Sequence, residues 1–163
     1  MSPDWDERRA MKKVLILGIG NILQSDDGVG VHIANAIMES GIDLPEEVEV
    51  ADGGTAGFDL IPLMQEKDRV VIIDALNTDD YPGSVYRFSA QHIRCSSNRI
   101  SLHDVGLADV IHVLDLMGKR PEIEIVGIVP ADITTTAIRL SEQVEKAVPK
   151  AVKVVLDTAL HTA

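Results

Sequence analysis

Aromatic residues are scarce in this chain: one Trp, two Tyr and two Phe among 163 residues. The core must therefore be built from Val, Ile, Leu and Ala, and few rings are left on which nucleic-acid bases could stack. Cysteine is nearly absent. Cys95 stands alone, so no intrachain disulfide can form and a reducing compartment is expected. Bases are outnumbered, 15 against 26 acids, for a net charge of −11. Such a surface repels phosphate backbones and anionic lipid heads, so neither nucleic acid nor membrane is an expected partner. The charge fits simple solubility as well as it fits a basic protein partner. No apolar run is long enough to cross a bilayer. Residues Met1 to Ala10 are polar and charged, unlike a signal peptide. A cytoplasmic location is expected, with one domain over 1–163 whose first 11 residues form a flexible tail.

What the chain does have is alternation. Lys12 to Gly18 reads as a nearly all-apolar strand, the pattern of a parallel strand buried on both faces. Val29 to Ser40 follows as a helix with Val29, Ile33, Ala36 and Ile37 inward, ended by Gly41. Glu47 to Ala51 is a second strand, and Phe58 to Glu66 a second helix burying Leu60, Ile61, Leu63 and Met64. Arg69 to Ala75 reads as the sheet centre, and Ser84 to Phe88 as an edge strand after the Tyr81-Pro82-Gly83 turn. Asp104 to Met117 is a helix with Val105, Ala108, Ile111, Val113 and Leu114 on its apolar side. Glu122 to Val129 is a buried strand, and Ser141 to Leu160 a final helix that Pro149 should kink or split. Met38, Met64 and Met117 read as core fillers. The order β-α-β-α-β-β-α-β-α predicts an α/β fold: a doubly wound, mostly parallel, twisted sheet with helices on both faces.

The loop Gly18-Ile19-Gly20-Asn21-Ile22-Leu23 begins like a dinucleotide fingerprint, but Leu23 stands where the third glycine is needed. No Gly-Lys-Ser/Thr ending follows. Instead Ser25-Asp26-Asp27 precedes the helix, and two carboxylates there would repel a pyrophosphate. No nucleotide cofactor is expected. Either acid could cap the helix, yet one would suffice for that. The pair points to a cation, or to a group that brings one.

In open parallel sheets, ligands bind beyond the carboxyl ends of the strands. Asp27 follows the first strand, Asp74 ends the Val70 to Ile73 strand, and His103 starts the third long helix. Two oxygens and a neutral imidazole suit a borderline divalent metal with open coordination positions. Open positions are what catalysis needs. Taken singly, Asp74 also reads as a loop acid and His103 as a partner for a backbone carbonyl. No Gly-x-Ser-x-Gly elbow exists, and Cys95, in Arg94-Cys95-Ser96-Ser97, has no evident paired histidine, so no covalent nucleophile is expected. His32, His92, His112 and His161 read as surface or packing residues.

Taken together, Gly18-Ile19-Gly20-Asn21-Ile22-Leu23, Asp26-Asp27-Gly28-Val29-Gly30, Asp52-Gly53-Gly54-Thr55-Ala56-Gly57, Asp74-Ala75 and Ser101-Leu102-His103-Asp104-Val105-Gly106-Leu107 resemble the nickel–iron hydrogenase maturation endopeptidases. The likeness runs from about Lys12 to about Leu160, with the motifs in family order. It implies a five-stranded, mainly parallel sheet between helices. It implies metal binding and catalysis by Asp27, Asp74 and His103, and seating of a substrate tail by Asp52, Gly53, Gly54 and Thr55. The first-loop acid is Glu or Asp among relatives, and here it is the shorter Asp27. The implied substrate is a hydrogenase large-subunit precursor already carrying nickel, whose C-terminal extension is removed. The protease could then be metal-free at rest, and zinc or cadmium could occupy the nickel position.

Two other readings compete on the residues alone. A signalling receiver domain also has paired acids after the first strand and an aspartate after the third. Receivers hold the acids at the strand end and carry a lysine after the last strand, where this chain has Pro130-Ala131-Asp132. A non-catalytic module that binds metal or precursor is the other, since fold does not dictate function.

Overall fold

A computed structural model describes residues 12–91 and 104–161, with the side chains of 104 and 105 left aside. The expected N-terminal tail, His92, Cys95 and His103 lie outside the described residues. Five strands form one sheet: β1 (Val14–Ile19), β2 (Val48–Gly54), β3 (Arg69–Ala75), β4 (Val85–Ser89) and β5 (Glu122–Ile128), in the order β2-β1-β3-β5-β4. All neighbours are parallel except β4, which runs antiparallel to β5 at the edge. The expected α/β fold with an edge strand after the Tyr81-Pro82-Gly83 turn is the one observed.

Period-two alternation sorts the apolar strands between two layers. Val14 and Ile16 of β1, with Val71 and Ile73 of β3, face helices α1 (Val29–Glu39) and α4 (Glu142–Leu160). Leu15, Leu17, Val70 and Ile72 face the other way, against the short α2 (Ile61–Met64) and α3 (Asp104–Leu116). A run such as Val70-Val71-Ile72-Ile73 is wholly buried because both faces are covered.

Close approach of α1 to the sheet depends on missing side chains. A Cβ on Gly18 would lie 2.2 Å from the Gly30 carbonyl oxygen, and one on Gly30 would lie 2.1 Å from that of Ile73. The helix start is thus pressed onto the ends of β1 and β3.

Several expectations need correction. The segment predicted as helix from Phe58 to Glu66 is a 3-10 turn, Gly57–Leu60, followed by only four α-helical residues. Leu60 and Met64 are buried, while Ile61 and Leu63 are half-buried and Phe58 is exposed. On α3 the buried stripe is Leu107, Val110, Ile111 and Leu114, so Ala108 faces out and Val113 is only half-buried. On α1, Ala36 is half-buried beside the buried Val29, Ile33 and Ile37. Met64 fills the core, but Met38 and Met117 are exposed. Pro149 does not split α4, which runs unbroken from Glu142 to Leu160. The proline is on the exposed side, where the carbonyl it leaves without a partner can be solvated.

At the amino end of the strands, buried Arg69 ties the layers together. Its guanidinium donates to both carboxylate oxygens of Glu122, at 3.0 Å each, and to the carbonyls of Thr158 (2.9 Å) and His161 (3.0 Å). The end of α4 is clamped to the starts of β3 and β5.

Candidate active site

The strand order creates a crevice. From β1 the chain goes to β2 on one side and then returns to β3 on the other, so the connections diverge between β1 and β3 at their carboxyl ends. Such switch points are where open α/β sheets bind ligands. Asp27 and Asp74 both sit there. Asp27 lies in a 3-10 turn, Ser25–Gly28, that packs against β3 just before α1. Asp74 lies one residue beyond Ile73, which pairs with Gly18 of β1. Both are buried, at 6% and 4% exposure.

The chain holds each carboxylate in place. The Asn21 N–H donates to Asp27 Oδ2 (3.1 Å), and the Ala75 N–H donates to Asp74 Oδ1 (2.8 Å). Gly20 permits the tight path between β1 and the turn: its φ is +132°, and a Cβ there would fall 2.0 Å from the Asp27 carbonyl oxygen. Its N–H also donates to the Gly54 carbonyl (2.9 Å), joining the first loop to the glycine-rich turn after β2.

Asp26 has a different role from the one its place beside Asp27 suggested. It is completely buried. Its Oδ2 accepts from the N–H groups of Ala131 (2.8 Å) and Asp132 (3.0 Å) and from the Ser141 hydroxyl (2.7 Å). Its Oδ1 accepts from the Ser141 N–H (2.7 Å). Four donors compensate the buried charge, so this acid needs no cation. It fastens the first loop to the β5–α4 connection instead of capping α1. Ser25 helps: its N–H donates to Ala137 O (2.8 Å) and its hydroxyl to Arg139 O (3.3 Å). Ser25 is also the one described non-glycine residue with positive φ, +50°, a strain that persists only where surrounding bonds over-determine the backbone.

The glycine-rich stretch divides. Gly53 is buried, and a Cβ there would crowd the side chains of Leu17, Leu60 and Ile19 at 2.9–3.1 Å. Asp52 Oδ1 accepts from the Gly54 N–H (2.9 Å) and so braces the turn. Gly54 is half-buried and Thr55 exposed. Beside this turn lies a cavity of about 180 Å³ that reasoning from sequence had not found. Ile19, Leu60 and Leu107 wall it, Gly54 to Gly57 form one side and Gly106 another; Asp27 and Asp74 do not line it. Its residues are scattered over four elements, and only the glycines of the Asp52 to Gly57 stretch hinted at it.

Among the described residues no group of three His, Cys, Asp or Glu side chains is placed to hold a metal ion. His103, the third ligand implied by the resemblance, lies outside them. Of the other histidines, His112 and His161 are exposed, while His32 has a buried Nε2 with no hydrogen-bond partner among the described residues. Among the described residues no helix is long and apolar enough to cross a membrane.

Comparison with known proteins decides the family. Residues 31–158 match the family model described as HycI, hydrogenase maturation protease. The chain belongs to the hydrogenase maturation protease family. It is 36% identical over 147 residues to the hydrogenase 2 maturation protease of Escherichia coli (strain K12), covering 88% of each chain. It is 31% identical over 144 residues to the hydrogenase expression/formation protein HupD of Rhizobium leguminosarum bv. viciae, covering 86% of this chain and 71% of that one. The hydrogenase maturating endopeptidase HybD from E. coli superposes with a TM-score of 0.82 at 36% identity, covering 90% of this chain and 91% of that one. For the NiFe hydrogenase maturation protease HybD from Thermococcus kodakarensis the TM-score is 0.77 at 34% identity, with 90% and 99% covered. A hydrogenase maturation protease is a hydrolase of peptide bonds, and the chemistry of the rim has to be understood in those terms.

Proposed function

We propose that this hydrogenase maturation protease is a metal-dependent endopeptidase that acts in the cytoplasm and removes a C-terminal extension from a nickel-containing hydrogenase large-subunit precursor. The observation that carries the reading is the placing of Asp27 and Asp74, two buried carboxylates, at the switch point of the sheet next to a glycine-rich turn. Nickel would belong to the substrate, arriving in the precursor, and would supply Lewis acidity toward the scissile carbonyl or a water. Asp27, Asp74 and His103 are the residues that would hold it. Two oxygens and one imidazole nitrogen are a donor set that accepts nickel, and zinc or cadmium in its place.

The chain's own contribution is preorganisation. Asn21 fixes the Asp27 carboxylate and Ala75 the Asp74 carboxylate through backbone N–H groups. Two anions in low dielectric repel each other and favour either a proton or a cation between them. A precursor bringing a cation is thereby preferred over one without it. An acid of the cleft would handle the protons of hydrolysis. The turn Gly54 to Gly57, open at the same rim, would lie along the extended tail.

The test is incubation of the purified protein with candidate precursors, with and without nickel, followed by mass measurement of the precursor's C-terminus. A shortened product from the nickel-loaded precursor alone is expected. Asp74→Asn and His103→Ala should each slow processing by about a hundredfold or more, as loss of a ligand to a catalytic metal does. Processing by both variants at the parent rate would end the assignment. Tight precursor binding without any loss of mass would establish a non-catalytic binding module instead.

A further inference from the structure

We infer that the apolar cavity between the glycine-rich turn and α3 is a side-chain subsite that takes one aliphatic residue of the precursor's tail, close to the bond that is cut. The inference rests on the reading of the protein as a precursor-processing endopeptidase and adds to it a determinant of specificity.

Three features lead to this occupant. The walls are Ile19, Leu60 and Leu107, each only 4% exposed, and Thr55 is the one polar side chain among the described lining residues. A charged or amide side chain would lose its hydration there and find no partner, whereas an aliphatic one gains contacts that the empty space lacks. The cavity also adjoins the loop that carries Asp27. Ile19 is its wall, the next residue, Gly20, lies against the Asp27 carbonyl, and the Gly20 N–H holds the Gly54 carbonyl of the opposite wall. One thickness of backbone therefore separates the subsite from the loop that carries Asp27. Finally, the space is kept open by a missing side chain. A Cβ on Gly106, in the first turn of α3, would meet no atom of the described residues within 4 Å. Gly106 has no positive φ, so its backbone does not require glycine. A residue that is neither crowded nor conformationally demanding, lining an apolar hollow, is one whose absent side chain leaves room for somebody else's.

The decisive variant is Gly106→Leu, which fills the hollow from within, accompanied by the smaller Gly106→Ala. Thermal melting of both should match or exceed that of the parent protein, since glycine inside a helix is destabilising. Processing is then measured on nickel-loaded precursors in which each aliphatic residue of the tail is changed in turn to glycine. On the unaltered tail Gly106→Leu should lose at least about tenfold in kcat/KM, mainly through KM, with Gly106→Ala between it and the parent. One tail position, once changed to glycine, should bring the parent down and erase its advantage over Gly106→Leu. Folded Gly106→Leu protein that processes every tail as the parent does would overturn the subsite while leaving the endopeptidase reading intact. A parent protein that cuts no precursor would overturn both.

Discussion

The loop over residues 21–28 and the turn over residues 53–57 adjoin at the carboxyl end of β1, and they are held in opposite ways. The first is buried from Ser25 to Gly28, strained at Ser25, and bonded through Ser25 and Asp26 to residues 131–141, more than a hundred positions away. The second is braced from within, by Asp52 and by an Ala56-to-Gly53 backbone bond, and Thr55 and Ala56 stand exposed beside an empty hollow. A carboxylate that must meet an incoming cation gains from being immobile, because its position is then settled before substrate arrives. A surface that must receive an extended peptide gains from being open. The two loops divide these requirements between them.

The contrast can be broken most severely at Asp26. Asp26→Ala leaves three backbone N–H groups and one hydroxyl without their acceptor. It should cost about 3 kcal/mol and lower Tm by roughly 6–12 °C in a chain of this size. Calorimetry or circular dichroism would read this, and a melt superimposable on the parent's would mean that the first loop is not pinned by Asp26. Thr55→Ala should change stability by no more than about 0.5 kcal/mol, as exposed substitutions do, while raising KM for the precursor several-fold. A large loss of stability there would erase the distinction between the loops.

The gentlest probe is pH. Hydrogen bonds from Thr135, its side chain first and then its amide, followed by the Thr134 amide, lower the Asp132 pKa from 3.8 to about 2. The folded value is the depressed one, so this group stabilises the native state fully above pH 3.8 and ceases to as pH falls to about 2. Because Asp132 stands in the connection to which the first loop is tied, Asp132→Asn should lower stability at neutral pH and flatten the acid limb in that window, so that variant and parent converge near pH 2. An unchanged acid limb would show that the turn does not depend on the charge.

Local pattern revealed what depends on neighbours along the chain. The all-apolar Val70 to Ile73 run marks a strand covered on both faces, and strand–helix alternation by itself puts Asp27 and Asp74 at the carboxyl rim. What depends on distant partners was hidden. Nothing about Asp26 betrays that its donors are Ala131, Asp132 and Ser141, so it and Asp27 looked alike. The stripe of α3 was placed only in part: Ile111 and Leu114 are buried as expected, but Ala108, a good helix former of small size, fits either side of an interface, and only packing selects Leu107 and Val110. Pro149 does not split α4 because it is exposed, and exposure, which makes a broken bond tolerable, cannot be read from the residue itself. The hollow beside Gly106 was invisible for a related reason: it is made of what four separate segments leave out.

The Arg69 clamp has a practical corollary. By fastening the last turn of α4 at the amino end of the strands, it sets His161 at the pole opposite the one where cutting would occur. A fluorophore, bead or affinity handle grafted at that helix end would sit on the far side of the molecule. Tethered protein should therefore still present its working rim to a bulky folded client, which makes pull-down and surface-capture formats suitable for identifying the precursor.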